Sequence, residues 1–127
     1  MTVPVLSDHE IKVFKKGSQI IRAGEMPAAA YLIKDGVVEV YKKVPGSGVH
    51  HKIANLGAGE LIGEMALMAH KYHTLDVEAV TDAEVYVISR EYLDNMLTKS
   101  PPLMKLVVET LLDRIYAYDR VLAERAD

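Results

Sequence analysis

The 127-residue chain contains no cysteine. That absence excludes a disulfide scaffold, a thiol nucleophile, a thiol redox switch and any zinc site built on sulfur, so a metal would have to be held by histidine and carboxylate. Tryptophan is also missing and phenylalanine occurs once. No apolar run approaches the roughly 18–20 residues of a membrane span. Met1 to Lys16 mixes Asp8 and Glu10 with three lysines, which is not the basic-then-apolar order of a signal peptide. The expected location is the cytoplasm, without membrane contact. What is present is ordinary globular make-up, 50% hydrophobic and 26% charged. This excludes disorder, and the length excludes a second large domain.

The net charge of −3 hides a split. Up to Gly59 there are eight Lys and Arg against five Asp and Glu; from Glu60 onward there are seven against thirteen. An acidic second half argues against a nucleic-acid surface, because duplex binding rests on neutralising phosphates, and the lysines of the first half are spread out instead of clustered. No nucleic-acid partner is expected.

From Ile11 to Ser89 the pattern is short strands between glycine turns. Ser18 to Arg22, Tyr31 to Ile33, Val37 to Tyr41 and His51 to Leu56 read as strands, and so do Asp76 to Val80 and Glu84 to Ile88. Asp35-Gly36 between two such runs signals a hairpin with a type I′ turn. Turns spaced this closely mark a small sandwich or barrel. The one interruption, Gly63 to Met68, is rich in helix formers yet short, which predicts about one helical turn set into the β fold. Its N-terminus would present free backbone N–H groups.

After Ser89 the pattern turns helical. Arg90 to Lys99 carries Tyr92, Leu93, Met96 and Leu97 at helical spacing, and Ser100-Pro101-Pro102 predicts a new start with Ser as N-cap and Pro at the first position. Beyond it Met104, Val108, Leu111, Ile115, Tyr118 and Leu122 alternate spacings of four and three, a heptad seam that predicts a homodimer contact. A second stripe, Leu103, Leu106, Val107 and Leu112, is expected to face the β portion.

This order of elements resembles the cyclic nucleotide-binding domain over nearly the whole chain, from about Phe14 to Leu122. Gly59-Glu-Leu-Ile-Gly-Glu-Met-Ala-Leu-Met68 is similar to that family's phosphate-binding cassette, and Thr81 to Arg90 to its last strand and exit into helices. Phe14 to Gly24 and Tyr31 to Gly36 are similar to its opening strands. The resemblance implies an eight-stranded jelly roll or double-stranded β-helix, cupin-like in outline, over about 11–89, with C-terminal helices over about 90–126. The whole of 1–127 would then be a single regulatory, non-enzymatic domain without an effector domain, and the Ala-Glu-Arg-Ala-Asp end reads as a natural terminus. No cofactor is required; cyclic AMP, cyclic GMP or another small ligand is the implied occupant. An effector protein acting in trans is the implied partner besides the second copy.

The resemblance also implies site residues. Glu64 would bind a ribose hydroxyl, and backbone amides around Gly63, Met65 and Ala66 would cradle the phosphate. Tyr116 and Asp119 would cap the pocket from the long helix. The family's Pro-Arg-Ala-Ala-Thr pattern falls on Tyr72-His-Thr-Leu-Asp76, so His73, Thr74, Leu75 and Asp76 line this part of the site. His73 stands where arginine is expected and Asp76 where a phosphate-facing hydroxyl is expected.

A histidine with a pKa near ~6.5 is mostly neutral at pH 7 and cannot supply the permanent bidentate fork of arginine. Between Glu60 and Asp82 five acids face Lys71 alone. Ordinary binding of cyclic AMP or cyclic GMP is therefore not expected unless Asp76 pairs with His73 and raises its pKa, or Lys71 folds over the site. Two alternatives stand beside this reading. One is a ligand-free dimeric scaffold, favoured if Met65, Leu67 and Leu75 fill the pocket. The other is a metal site in the cupin-like roll, of His70 and His73 with His50 or His51 and with Asp76 or Glu64 as carboxylate ligand, although His50 and His51 follow a Gly-Ser-Gly turn and are expected to be exposed.

Overall fold

The computed structural model describes residues 9–125, with side chains through Tyr118. The strands are β1 (Ile11–Phe14), β2 (Gln19–Ile21), β3 (Ala29–Asp35), β4 (Val38–Lys43), β5 (His50–Leu56), β6 (Leu61–Ile62), β7 (Asp76–Ala79) and β8 (Ala83–Ser89). Helix α1 (Glu64–Ala69) interrupts them, and α2 (Arg90–Lys99) and α3 (Pro102–Arg125) follow. The chain divides into two compact units, one ending at Arg90 and one beginning at Glu91.

The strands form two antiparallel four-stranded sheets, ordered β1-β8-β3-β6 and β2-β7-β4-β5. Alternating side chains give each sheet one apolar face. Ile33, Ile62, Ala83 and Val85 of the first sheet and Ile21, Val38, Val40 and Val77 of the second make one buried cluster between them. Burying a Val or Ile side chain is worth about 1.5–3 kcal/mol, so this cluster holds the roll together. The expected eight-stranded jelly roll with C-terminal helices is the fold of the chain.

The Asp35-Gly36 turn is not a hairpin. β3 and β4 lie in different sheets, Asp35 is not in the left-handed region, and Gly36 alone takes positive φ, at 98°. The turn is the corner where the chain changes sheet. A Cβ on Gly36 would collide with the Asp82 carbonyl oxygen and lie 2.7 Å from Ala83 Cα, because the β7–β8 crossing, the opposite corner, packs directly upon it. Val37 N–H donates to Thr81 Oγ1 (3.0 Å) and Val80 N–H donates to the Val37 carbonyl (2.9 Å). The local Asp-Gly signal names a tight turn but not the sheet to which the next strand belongs. The true hairpin joins β4 to β5, its loop closed by Val44 N–H on the Val49 carbonyl (2.8 Å).

In the second unit, α2 has the bounds the sequence predicts. Ser100 does not cap α3: its hydroxyl and its N–H both turn back to the Met96 carbonyl, at 2.8 Å and 3.0 Å, and close the end of α2. Helix α3 begins one residue later than expected, with Pro102 in its first turn. Leu103, Leu106 and Val107 are exposed, and so are Met104, Leu111, Ile115 and Tyr118 of the heptad seam. Val108 and Leu112 are half-buried, and the Leu122 side chain lies outside the described residues.

Candidate functional site

β6 pairs with β3 through Tyr31–Ile62 and Leu32–Leu61 and delivers the chain to Gly63, whose φ of 76° turns it into α1. Glu, Met, Ala and Leu favour helix, and Ala66 and Leu67 are buried on its inner side. The helix stops where His70 takes the left-handed conformation (φ 55°, ψ 45°). His70 N–H then bonds the Leu67 carbonyl (3.4 Å) and Lys71 N–H the Ala66 carbonyl (3.0 Å), the closing pattern of a Schellman motif.

Gly63 and His73 meet at the start of this helix. A Cβ on Gly63 would lie 3.0 Å from Ile21 Cδ1 and 3.2 Å from His73 Cε1. The imidazole thus stands against the turn that opens α1. The backbone holds it there: His73 N–H donates to the Glu25 carbonyl (3.0 Å), and Gly24 N–H donates to the His73 carbonyl (2.8 Å). Burial pushes the His73 pKa down, and the nearby Glu25 carboxylate opposes this without overcoming it. Glu64, in the first turn of α1, is pushed up by burial, against a smaller downward pull from its backbone hydrogen bond. Both shifts favour the neutral form of the group.

The pairing of Asp76 with His73 is not what forms. Leu75 and Val77 both pack toward the core cluster, so strand alternation puts Asp76 on the other face of β7. There it is 2% exposed. Its Oδ1 accepts from Ala23 N–H (3.2 Å) and Gln19 Nε2 (3.3 Å), with Lys43 Nζ at 3.7 Å. Tyr41 completes the group by donating its hydroxyl to Gln19 Oε1 (3.0 Å). His73 gains no charge from this carboxylate, and its pKa moves down, not up.

The other expected site residues fall as follows. Met65 is half-buried and Leu67 fully buried, Thr74 is exposed, and Leu75 packs on the core. Lys71 is exposed. Tyr116 is half-buried on α3, and the Asp119 side chain lies outside the described residues. The metal alternative gains no support from geometry. His70 Nδ1 accepts from Arg90 (2.6 Å), the His50 ring lies against Tyr41 (4.4 Å between centroids), and His50 and His51 are exposed as expected. Among the described residues no three His, Asp or Glu side chains are grouped to hold an ion.

Arg90 is the residue that sequence reasoning passed over. Its Nη1 donates to the Leu67 carbonyl (2.8 Å) as well as to His70, and its Nη2 donates to the Pro27 carbonyl (3.4 Å). The guanidinium therefore serves the C-terminal end of α1, where a cation complements the helix dipole. Its position just past a strand, opening a helix, gave no local sign of this. Gln19, Ala23, Tyr41 and Lys43 were equally invisible, since sheet pairing alone brings them to Asp76.

A profile of the cyclic nucleotide-binding domain matches residues 11–100. The chain is 33% identical over 110 residues to the cyclic AMP receptor protein of Thermus thermophilus, covering 86% of this chain and 50% of that protein. It is 30% identical over 125 residues to potassium/sodium hyperpolarization-activated cyclic nucleotide-gated channel 2 of Mus musculus, covering 95% of this chain and 14% of the channel. The chain thus spans half the length of the first relative and a small part of the second. The solved catabolite activator protein of Thermus thermophilus superposes with a TM-score of 0.72 at 26% identity, over 93% of this chain and 55% of that one. The cAMP-bound EAL enzyme Bd1971 shares the fold, with a TM-score of 0.76 at 24% identity over 92% of this chain and 32% of that one. Profile, relatives and architecture agree, and the chain belongs to the cyclic nucleotide-binding domain family.

Proposed function

We propose that this chain is a non-enzymatic regulatory ligand-binding module in which the start of α1, with Glu64 and His73 beside it, is the ligand site, and that it holds cyclic AMP and cyclic GMP weakly. The observation that carries this reading is the His73 ring standing against Gly63 where the family places an arginine. Related proteins are named for cyclic AMP and for cyclic nucleotides, which supports that ligand class for the ancestral site. In this chain a phosphate would meet a half-buried imidazole that burial keeps neutral, with the carboxyl of Glu64 nearby in the same turn. Losing a charge-assisted pair to a buried phosphate costs about 2–5 kcal/mol, or roughly 30- to several-thousand-fold in affinity.

The output of such a module is a change in how α3 presents its apolar side chains, and a second copy is the partner that fits a heptad seam. Met104, Leu111, Ile115 and Tyr118 are each at least 40% exposed within one chain, which supports association through this helix. A protein effector acting in trans fits the same reading. Calorimetric titration with cyclic AMP and cyclic GMP at pH 6 and pH 8 tests the ligand claim. Weak binding that improves at pH 6 is expected; tight binding indifferent to pH contradicts it. No response to either nucleotide at either pH would favour the ligand-free scaffold. Analytical ultracentrifugation tests the dimer, which Leu111→Glu is expected to dissociate; a single 14.1 kDa species at tens of micromolar wild-type chain would remove it.

A further inference from the structure

Asp76 is a buried carboxylate on the sheet face opposite the core. Its Oδ2 is buried and has no hydrogen-bond partner among the described residues, so retaining the acid costs stability. What its Oδ1 does is tie three groups to β7: the Ala23 N–H just after β2, the Gln19 amide on β2, and the Lys43 ammonium at the end of β4. The Ala23 contact continues directly into the backbone pairing of Gly24 and Glu25 with His73. Residues 23–25 are therefore fastened to residues 73–76 at both ends of the segment, by backbone bonds at His73 and by the carboxylate at Asp76. His73 in turn is the residue whose ring lies against Gly63.

We propose that Asp76 is a positioning residue: it latches the Ala23–Glu25 turn to the segment before β7 and thereby fixes where the His73 imidazole sits at the start of α1. The inference rests on reading that place as the ligand site, but it concerns the ligand-free protein and fails or stands independently of any nucleotide. Asp76→Asn keeps an oxygen acceptor for Ala23 N–H; Asp76→Ser has a side chain one bond too short for it.

The test is amide hydrogen exchange and an NMR titration of the His73 ring in the free protein, wild type against both variants. Asp76→Ser is expected to speed exchange at Ala23, Gly24 and His73 at least tenfold while Ile33 and Val85 keep their protection. It is also expected to move the His73 titration back toward that of an exposed imidazole. Asp76→Asn is expected to retain most of the Ala23 protection. Exchange that rises equally across both sheets, or a His73 titration identical in all three proteins, would overturn the proposal and leave Asp76 as a fold-stabilising residue only. If Asp76→Ser does not fold, the wild-type protein decides alone: Ala23, Gly24 and His73 are expected to exchange at one common rate under native conditions, and exchange of Ala23 at a rate independent of Gly24 and His73 overturns the latch.

Discussion

The two ends of α1 differ in charge in the opposite sense to what a phosphate site needs. At the C-terminal end a guanidinium, Arg90, reaches two carbonyls and the His70 ring. At the N-terminal end the neighbour is His73, held toward neutrality by burial. The roll has put its permanent cation where it closes the helix, and an imidazole beside Gly63 where the helix opens. On the proposed reading the cassette is intact as a structural unit and weakened as an anion site, because separate residues carry the two roles.

Substitutions can break this comparison end by end. The largest effect on stability is expected at the N-terminal end from Gly63→Ala. A left-handed alanine costs about 1–2 kcal/mol, and the new methyl must also displace Ile21 and His73, so a loss of about 2 kcal/mol in urea unfolding is the expected outcome. At the other end Arg90→Ala removes a charged donor from the Leu67 and Pro27 carbonyls, for about 1–2 kcal/mol. Arg90→Lys is expected to recover only part of this, since an ammonium cannot span the same acceptors. Selective loss of amide protection at His70 and Lys71 would locate the effect.

Two smaller effects sharpen the comparison through pH, and their signs oppose. The His73 pKa is lowered on folding, so the unfolded chain takes up the proton first. The stability tied to the neutral ring is full above the ordinary value near ~6.5 and is lost as pH falls from there toward the folded value. His73→Gln is expected to flatten that part of a stability profile measured between pH 7 and 5. The Glu64 pKa is raised from 4.5, so its ionised form weighs against folding at neutral pH and the penalty disappears as pH falls through the folded value. Glu64→Gln is expected to raise the melting temperature slightly at pH 7, with the gain vanishing near pH 4.5.

Six of the eight strands, the short helix α1 and the bounds of α2 were legible in the sequence because each follows from local propensity or short-range spacing; β1 and the two-residue β6 were not, since only their pairing with β8 and β3 makes them strands. The topology at Asp35-Gly36 was not, since the corner is decided by its packing on Asp82 and Ala83 from a distant strand crossing. Ser100 next to two prolines reads as an N-cap, yet the carbonyl it satisfies belongs to the preceding helix. At the site, the sequence put Gly63 and His73 in one place, and the structure brings them together; what His73 does to a phosphate belongs to the proposal. The role of Asp76 was not legible, because its partners at positions 19, 23 and 43 come together through sheet register and carry no local mark. The same holds for Arg90, whose acceptors lie on α1 and at Pro27.

The central claim is that one side chain separates this site from a working phosphate clamp. It is tested most directly by measuring cyclic AMP affinity of wild type and His73→Arg in parallel by calorimetry at pH 8, where an imidazole contributes no charge. A gain of at least 30-fold in the arginine variant is expected, with wild-type binding weak or undetectable. Equal affinities, or tight binding by wild type at pH 8, would contradict the account.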